Sequence, residues 1–585
     1  MGNRKKKKQR KKRRKLRLSR ACSPSCEGLK KGAEDLNALI QQVNTSLARA
    51  DLHHAALLAA HGLEQYPDNY EMLLCAGNVH ENAGNVDDAM FCYSTAVKLR
   101  PDDASAISRI SNLLLRLRNW RDSIPWLERL LALQPENSDT LLALGTAYLR
   151  LSDMDKAVSL LEEARRISPR DVSVLTNLGV CYRFQRQYDL GLEVLRHALE
   201  LNKDRARVLG TLASLLADMG KYDDALECSE QILAFPEELE AGILAAAAYP
   251  YVKTGKYDRA EMLYRKAISL DASHSASMLG LGCILLLRER FREAWPLYRA
   301  RFDIMQSWLD GPWPLWQGEE LAGKKILVRA EQGLGDTIQF ARFIPVLKRR
   351  GAEVIFSFQP PLKRLMKSME DSAFLLAEKR LNVADLEVDC QAALLDLPFL
   401  LGVDKISKIP SETPYLRVDD DIRKRYKKRL DIAEDILNVG LVWAGNPAHV
   451  DDHNRSINFS RFVPLAFIDN VRLFSLQIGG AEEIARINRG NVVDATEYID
   501  DFLDTAAIIA NLDLVISVDT SVAHLAGALG KPVIILLPFS PDWRWFLGRD
   551  DSPWYPTARL LRQPAPGNWT PVIEKLVDIL KSWEK

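Results

Sequence analysis

A proline returns every 34 residues in the first half of this 585-residue chain, at Pro67, Pro101, Pro135 and Pro169. Each of these prolines follows an apolar pattern of helical period, and small residues recur at fixed offsets before them, as Ala89 does before Pro101. A fixed period of this length is typical of stacked helix pairs, because one pair cannot bury its apolar face alone. The period therefore predicts an all-helical superhelix with a concave groove.

The helices of this half resemble tetratricopeptide repeats. Two segments carry the resemblance: residues 85–101, with Ala89, Tyr93 and Ala96, and residues 256–271, with Ala260, Tyr264 and Ala267. About seven units fit between Ala33 and Ala272, and the pattern predicts a capping helical pair over residues 277–302. Because an extended peptide is the usual ligand of this architecture, the resemblance implies a protein or peptide in the groove. Simple scaffolding is the alternative that the sequence leaves open.

The amino terminus is strongly basic, although the formal net charge of the chain is only +1. Thirteen of the first 20 residues are Lys or Arg and none is acidic, which predicts a disordered tail over residues 1–32. Peripheral contact with an anionic membrane is an open alternative, and nucleic acid is not the expected partner. The scattered cysteines and the lack of a long apolar stretch indicate a cytoplasmic protein, with attachment to the inner face of the membrane left open.

Strand–helix alternation begins after a Trp- and Pro-rich connector at residues 305–323. It predicts a parallel sheet and, with the repeats, a multidomain fold in which an all-α superhelix (33–304) precedes an α/β region. The pattern separates into two doubly wound, Rossmann-like halves, 324–432 and 433–585, which meet near residues 417–437. The predicted strands are 325–330, 354–358, 439–443, 471–477, 492–495, 514–516 and 533–537, and the predicted helices include 337–350, 502–511 and 571–583.

The stretch from Asp513 to Pro538 reads as strand, polar turn, short helix and strand. Its apolar runs are typical of strands buried on both faces of a parallel sheet. The turn holds Asp519, Thr520 and Ser521 between a strand end and a helix N-terminus, where unpaired N–H groups and the helix dipole favour anions. We therefore predict that this turn binds the diphosphate of a sugar nucleotide. His524, one helical turn later, is expected either to contact that anion or to be structural.

A second polar turn lies in EQGLGDTIQFARF, residues 331–343. Gly333 and Gly335 permit a tight strand-to-helix turn, and Asp336 falls near the helix N-terminus, where it is either a functional carboxylate or only an N-cap. Gln339, on the following helix, is a further candidate cleft residue. Neither a third dinucleotide-binding glycine nor a P-loop Lys follows, so the turn fits neither of those phosphate-binding motifs.

A third polar loop, residues 443–462, follows another predicted strand. Arg455 is the expected phosphate contact, because guanidinium pairs bidentately with phosphate oxygens, and Asn446 is a candidate cleft residue. The neighbouring histidines and aspartates lack a third ligand at helical spacing, so no metal is expected. Trp543, in the loop of residues 540–556, is expected either to flank the cleft or simply to pack.

Together these three loops resemble the GT-B glycosyltransferases of family nine, the heptosyltransferase-like enzymes, over residues 318–585. The resemblance implies that Asp336, in the family's GxGD turn, is the catalytic base. It implies donor and diphosphate binding by the family's D-T/S-x-x-x-H-L segment and by a basic residue of the preceding loop: Asp519, Thr520, Ser521, His524 and Arg455. It further implies inverting, metal-independent hexosyl or heptosyl transfer, with a nucleotide sugar as co-substrate and no other cofactor.

The acceptor of such an enzyme is left open by the sequence. Repeats fused in front of a GT-B half are similar in plan to the peptide O-linked N-acetylglucosamine transferases, which implies a protein acceptor. The carboxyl-terminal motifs look closer to heptosyltransferases, which leaves the acceptor class open. Transfer to a glycan or lipid-linked acceptor is the alternative, and the basic tail favours it slightly because it could hold the enzyme at an anionic membrane. A non-catalytic scaffold with a GT-B remnant is the third alternative.

Overall fold

The computed structural model of the chain describes residues 35–201, 203–305, 311–377, 386–449, 451–486 and 491–583. The predicted basic tail (1–32) and part of the predicted connector lie outside the described residues. The chain forms two compact units, residues 1–203 and 204–585. The domain boundaries expected from the sequence stay predictions.

The first unit is built from helices throughout its described part. They are α1 (Leu36–Ala48), α2 (Leu52–Gln65), α3 (Tyr70–Asn82), α4 (Val86–Leu99), α5 (Ala104–Arg116), α6 (Trp120–Leu133), α7 (Ser138–Arg150), α8 (Met154–Ile167), α9 (Val172–Phe184) and α10 (Tyr188–Glu200). Most of these helices begin at an Asp or Asn whose side chain accepts a hydrogen bond from a first-turn N–H, as Asp103 does from Ser105 at 2.8 Å. The 34-residue period therefore corresponds to one antiparallel pair of helices.

Small residues at the repeated positions let the two helices of a pair approach closely. Gly77 of α3 faces the ring of Tyr93 on α4, and a Cβ at position 77 would lie 2.4 Å from that ring. The same ring is fully buried, and its hydroxyl donates to Glu81 Oε2 at 2.7 Å. Ala89 and Ala96 are also fully buried. The repeats predicted from these residues are confirmed.

The second unit begins with further repeat helices and continues into the α/β region. The helices up to the connector are α11 (Arg205–Asp218), α12 (Tyr222–Ile232), α13 (Ala241–Lys253), α14 (Tyr257–Leu270), α15 (Ser275–Leu287), α16 (Phe291–Tyr298) and α17 (Arg301–Met305). The strands are β1 (Lys325–Arg329), β2 (Glu353–Phe358), β3 (Phe374–Ala377), β4 (Cys390–Ala393), β5 (Leu437–Val442), β6 (Val471–Ser475), β7 (Val492–Asp494), β8 (Leu514–Val518), β9 (Val533–Leu537) and β10 (Ala558–Arg562).

These strands form two separate parallel sheets. The first has the order β3-β2-β1-β4 and the second the order β10-β9-β8-β5-β6-β7. Between the strands lie the helices α18 (Leu334–Phe340), α19 (Ile344–Arg349), α20 (Lys363–Met366), α21 (Leu397–Leu400), α22 (Asp420–Arg429), α23 (Asp452–Arg455), α24 (Ala481–Ala485), α25 (Phe502–Asn511) and α26 (Ser521–Ala528), and α27 (Thr570–Lys581) follows β10. Strands β5, β8 and β9 are buried along their whole length, as the continuous apolar runs 514–516 and 533–537 predict for β8 and β9.

Two expectations about these elements need correction. Strands β3, β4 and β10 were not predicted, because they are short or only partly buried and lack the long apolar run that marks a central strand. The helix predicted over residues 337–350 begins earlier, at Leu334, and is divided by a 3₁₀ turn at residues 341–343 before α19, which has Pro345 in its first turn.

The last repeat helices are packed against the sheets of the same unit. Trp295 of α16 donates its indole N–H to the carbonyl of Val403 at 2.7 Å. Arg301 of α17 is 1% exposed and donates to Glu331 Oε1 at 2.6 Å and to Asp396 Oδ1 at 2.8 Å. Both carboxylates follow strands of the first sheet and are themselves buried. A buried ionic cluster therefore joins the end of the repeats to the loop that follows β1.

Candidate active site

The loops after the carboxyl ends of β1 and β2 in one sheet and of β5, β6, β8 and β9 in the other border a cavity of about 1000 Å³. Ligands of parallel α/β sheets bind at this edge, because helix N-termini and loops with free polar groups converge there. Nine of the eleven predicted site residues line the cavity: Gly333, Gly335, Asp336, Asn446, Arg455, Asp519, Thr520, Ser521 and His524. Three loops that are far apart in sequence are therefore brought to one site.

The N-termini of α18 and α26 are in contact at the wall of this cavity, and the contact is possible because Gly335 has no side chain. A Cβ at position 335 would lie 2.9 Å from Cδ2 of His524 and 3.3 Å from Cα of Ser521. Thr520 is the N-cap of α26, and its side chain makes no capping hydrogen bond to the first-turn N–H groups. The first-turn N–H groups of α26 therefore have the position and polarity of an anion site, directly beside the turn that carries Asp336.

Both carboxylate oxygens of Asp336 are engaged in the structure. Oδ2 accepts a hydrogen bond from the N–H of Gly333, the N-cap residue of α18, at 2.9 Å. Oδ1 forms an ion pair with Nη2 of Arg544, which lies in the loop after β9. The side chain of Asp336 is 19% exposed and that of Arg544 is 7% exposed. Asp336 therefore caps its helix, and it is also tied to a buried cation from the other sheet.

Arg455 fixes the loop after β5 to the end of β8. Its Nη1 donates to the carbonyl of Asp519 at 2.8 Å, and its Nε lies 3.3 Å from Oδ1 of Asp452. Gly445 makes room for this arrangement, because a Cβ there would lie 2.3 Å from the Asp452 carboxylate and 2.7 Å from the Arg455 guanidinium. With this side chain only 20% exposed, Arg455 is held at the cavity wall as a positioned cation.

Burial governs the charge states of Asp519 and His524. It raises the pKa of Asp519 to about 6, with a further contribution from the carboxylate of Asp542. It lowers the pKa of His524 well below its ordinary value, and the arginines 544, 342 and 455 lower it further. His524 is therefore neutral at physiological pH; its Nδ1 shares a hydrogen bond of 2.9 Å with the Tyr555 hydroxyl, and its Nε2 lies 3.9 Å from Asp519.

Gln339 and Trp543 do not line the cavity, which corrects their expected place in the cleft. Gln339 is fully buried, and its side-chain amide has no hydrogen-bond partner among the described residues. Trp543 is 4% exposed and packs edge-on against Trp295 and Tyr298. Both side chains belong to the packing beneath the site, as the packing alternative for Trp543 proposes.

Several lining residues were not identified from the sequence. The most important of these is Arg544. Its Nη1 donates to Asp542 Oδ1 at 2.8 Å. The ring of Trp543 lies against its guanidinium, with 4.5 Å between the guanidinium carbon and the ring centroid. The position of Arg544 soon after the end of β9 was the available signal. Gln477, after β6, also lines the cavity, and its Oε1 accepts from the backbone N–H of Ala444 at 2.9 Å.

Among the described residues, no group of three or more His, Cys, Asp or Glu side chains is placed to hold a metal ion. The expectation that the chemistry needs no metal stays a prediction. None of the helices in the described part of the chain has both the length and the apolar character needed to cross a membrane.

Comparison with protein families matches both halves of the chain. Tetratricopeptide repeat models match residues 70–103, 109–172, 171–238 and 241–274. The model of glycosyltransferase family 9 (heptosyltransferase) matches residues 477–554. That segment contains β8, the N-terminus of α26 and Arg544, and it ends before β10.

Protein FlbA of Caulobacter vibrioides is 28% identical over 325 residues, which cover 51% of this chain and 54% of FlbA. The chain therefore matches about half the length of this relative. Among solved structures, a tetratricopeptide repeat protein from Parabacteroides merdae is 18% identical, covers 42% of this chain and 97% of its own, and has a TM-score of 0.38. YrrB, a tetratricopeptide repeat protein with an unusual peptide-binding site, is 19% identical over 32% of this chain and 96% of its own, with a TM-score of 0.28. Scores this low carry no argument about the present chain.

Proposed function

Because the chain joins tetratricopeptide repeats to a segment of the glycosyltransferase family 9 type, we propose that it transfers a sugar from a nucleotide sugar to an acceptor hydroxyl. The two parallel sheets are then the two Rossmann-like halves of a GT-B fold, with the donor held by the second. One observation carries the proposal: the predicted base and the predicted diphosphate site come from different sheets and line the same cavity.

The donor is proposed to bind with its diphosphate at the N-terminus of α26. The first-turn N–H groups of α26 and the guanidinium of Arg455 would stabilise the negative charge of the diphosphate. A cavity of about 1000 Å³ is large enough for a nucleotide sugar. Neutral His524 would contribute a hydrogen bond and no charge.

The transfer is proposed to proceed by direct displacement. The acceptor hydroxyl gives its proton to the Asp336 carboxylate while its oxygen forms a bond to the anomeric carbon. The bond from that carbon to the diphosphate breaks, and the electron pair leaves with the nucleoside diphosphate. A single displacement inverts the anomeric carbon, and the helix N–H groups and arginines stabilise the leaving charge without requiring a metal.

The repeats are proposed to bring a protein or peptide acceptor to this site. The contact between Lys253 of α13 and Asp451, in the loop that carries Arg455, supports this role. Ser540, after β9, also donates its hydroxyl to the carbonyl of Val252 at 3.0 Å. The repeat helices of the second unit are therefore packed against loops at the cavity edge, where a bound polypeptide would be near the sugar.

A donor screen tests the proposal. Nucleotide sugars are added one at a time to the full chain, and the melting midpoint and the release of nucleoside diphosphate are measured. We expect at least one donor to raise the midpoint and Asp336→Asn to abolish transfer while donor binding persists. Glu370→Gln, at an exposed carboxylate outside the cavity, is the control and should leave transfer unchanged. Absence of stabilisation by every donor would favour the scaffold alternative, and full activity of Asp336→Asn would refute the assigned base.

A further inference from the structure

Arg544 joins the two faces of the cavity through a pair of carboxylates. It donates Nη2 to Asp336, from the first sheet, and Nη1 to Asp542, two residues away in its own loop. Its Nε has no hydrogen-bond partner among the described residues, although that atom is buried. The indole of Trp543 and the ring of Phe340 lie against the guanidinium, at 4.5 and 5.7 Å from their centroids. The cation is therefore held in place, with Asp336 as its partner from the opposite sheet.

This ion pair opposes the role proposed for Asp336. A general base must receive the proton of the acceptor hydroxyl, and the Arg544 guanidinium occupies Oδ1, the carboxylate oxygen that would receive it. The N–H of Gly333 donates a hydrogen bond to Oδ2, the other oxygen of the Asp336 carboxylate. In the arrangement seen here both carboxylate oxygens of Asp336 are therefore engaged, and Oδ1 becomes available to an acceptor hydroxyl only once Arg544 binds another anion.

The cavity provides the place for that anion. Among the described residues that line it, the carboxylates are Asp336, Asp519 and Asp542 and the arginines are Arg455 and Arg544, so these two guanidinium groups are the candidates to receive a diphosphate. The N-terminus of α26 lies directly against the turn of Asp336 at Gly335. A diphosphate at that helix end would meet Arg544 with more charge and more acceptor oxygens than one carboxylate offers.

We propose that Arg544 exchanges its partner during the reaction: the donor diphosphate takes the guanidinium from Asp336, which frees Oδ1 to receive the proton of the acceptor hydroxyl. Arg544 thereby stabilises the leaving group and makes the availability of the Asp336 carboxylate depend on a bound donor. Asp542 keeps the guanidinium in the cavity during the exchange. The inference rests on the proposed function, because it requires a diphosphate at α26.

Asp336 and a bound diphosphate would compete for Arg544, and this competition determines whether each substitution tightens or weakens diphosphate binding. The binding of inorganic pyrophosphate and of ADP, GDP and UDP to the full chain is measured by calorimetry. Asp336→Asn removes the competing charge, so it should tighten binding of the diphosphate that the wild type accepts by roughly tenfold. Arg544→Gln should weaken binding, and in that background Asp336→Asn should no longer tighten it.

Asp551 and Arg549 are a matched ion pair in the same loop but outside the cavity, with Nε to Oδ1 at 2.7 Å. Asp551→Asn and Arg549→Gln are the controls and should leave diphosphate binding unchanged. Arg544→Met, which also removes the charge and keeps an apolar contact for Trp543, replaces Arg544→Gln if the latter does not fold.

Unchanged or weaker binding by Asp336→Asn, or equal tightening in both Arg544 backgrounds, would overturn the exchange and leave the glycosyltransferase proposal intact. Failure of the wild-type chain to bind any of the four probes would overturn both.

Discussion

Replacing Arg301 with methionine should destabilise the second unit in a way that depends on pH. Arg301 is 1% exposed and is paired with Glu331, which is 2% exposed, and with Asp396. Burial raises the pKa of Glu331 from 4.5 to about 7 even though Arg301 opposes the shift. Removing one member of a buried ionic cluster leaves uncompensated charge and costs about 3–5 kcal/mol. We expect a penalty of that order in Arg301→Met at pH 8.

The penalty should shrink as the pH falls toward 5. Between pH 4.5 and 7 the folded chain holds a proton on Glu331 that the unfolded chain releases, so stability falls as the pH rises through this window. In the wild type this group accounts for roughly 3 kcal/mol across the window. Without Arg301 the pKa of Glu331 rises further, so the variant is most harmed where the wild-type carboxylate is charged.

Melting midpoints measured from pH 5 to pH 8.5 test this reasoning. The wild type, Arg301→Met and the double variant Arg301→Met/Glu331→Gln are compared at each pH. The double variant should recover much of the loss at pH 8, because it removes Glu331, the carboxylate left without a cation, whereas Asp396 keeps its ion pair with Arg299 at 3.0 Å. An equal loss for Arg301→Met at every pH, or no recovery in the double variant, would refute the assignment of the penalty to buried charge.

Three further substitutions have definite expected outcomes. Gly335→Ala should lower the melting midpoint and weaken pyrophosphate binding, because the new methyl group would lie 2.9 Å from His524 where about 3.4 Å is ordinary contact. Gly242→Ala is the matched control and should be neutral, because its methyl group would meet no atom closer than 3.7 Å. Asp519→Asn should remove part of the pH dependence of pyrophosphate binding. The wild-type carboxylate, with a pKa of about 6, is charged and repels the ligand above that pH, and it is neutral below it. Calorimetric titrations that gave the same pH profile for both proteins would contradict this assignment. Gly77→Ala should destabilise the first unit by about 1–3 kcal/mol, measured as a lower melting midpoint, because its methyl group would overlap a tyrosine ring; an unchanged midpoint would mean that the two helices can separate freely.

Local sequence patterns predicted much of this molecule. The 34-residue period identified the repeats, because each helix pair must present small residues at the same positions to pack on the next. The apolar runs around Asp519 identified buried parallel strands, and the polar residues at their ends identified the candidate site. These features depend on residues close together in the chain, so one sequence is enough to reveal them. The prediction failed for the short strands β3, β4 and β10, whose burial depends on neighbours that are distant in sequence.

The tertiary structure alone decided which distant groups meet. Arg544 reaches Asp336 across 208 positions, and no spacing rule connects the two. Arg301 of the last repeat helix likewise finds its carboxylates only because α17 packs against the loop after β1. Such pairs are set by the order of strands in the sheets and by the contact of helix ends, which are long-range properties. The sequence by itself determined the kinds of element and the loops that carry polar groups, whereas the fold decided that the carboxylate of one loop is restrained by the cation of another.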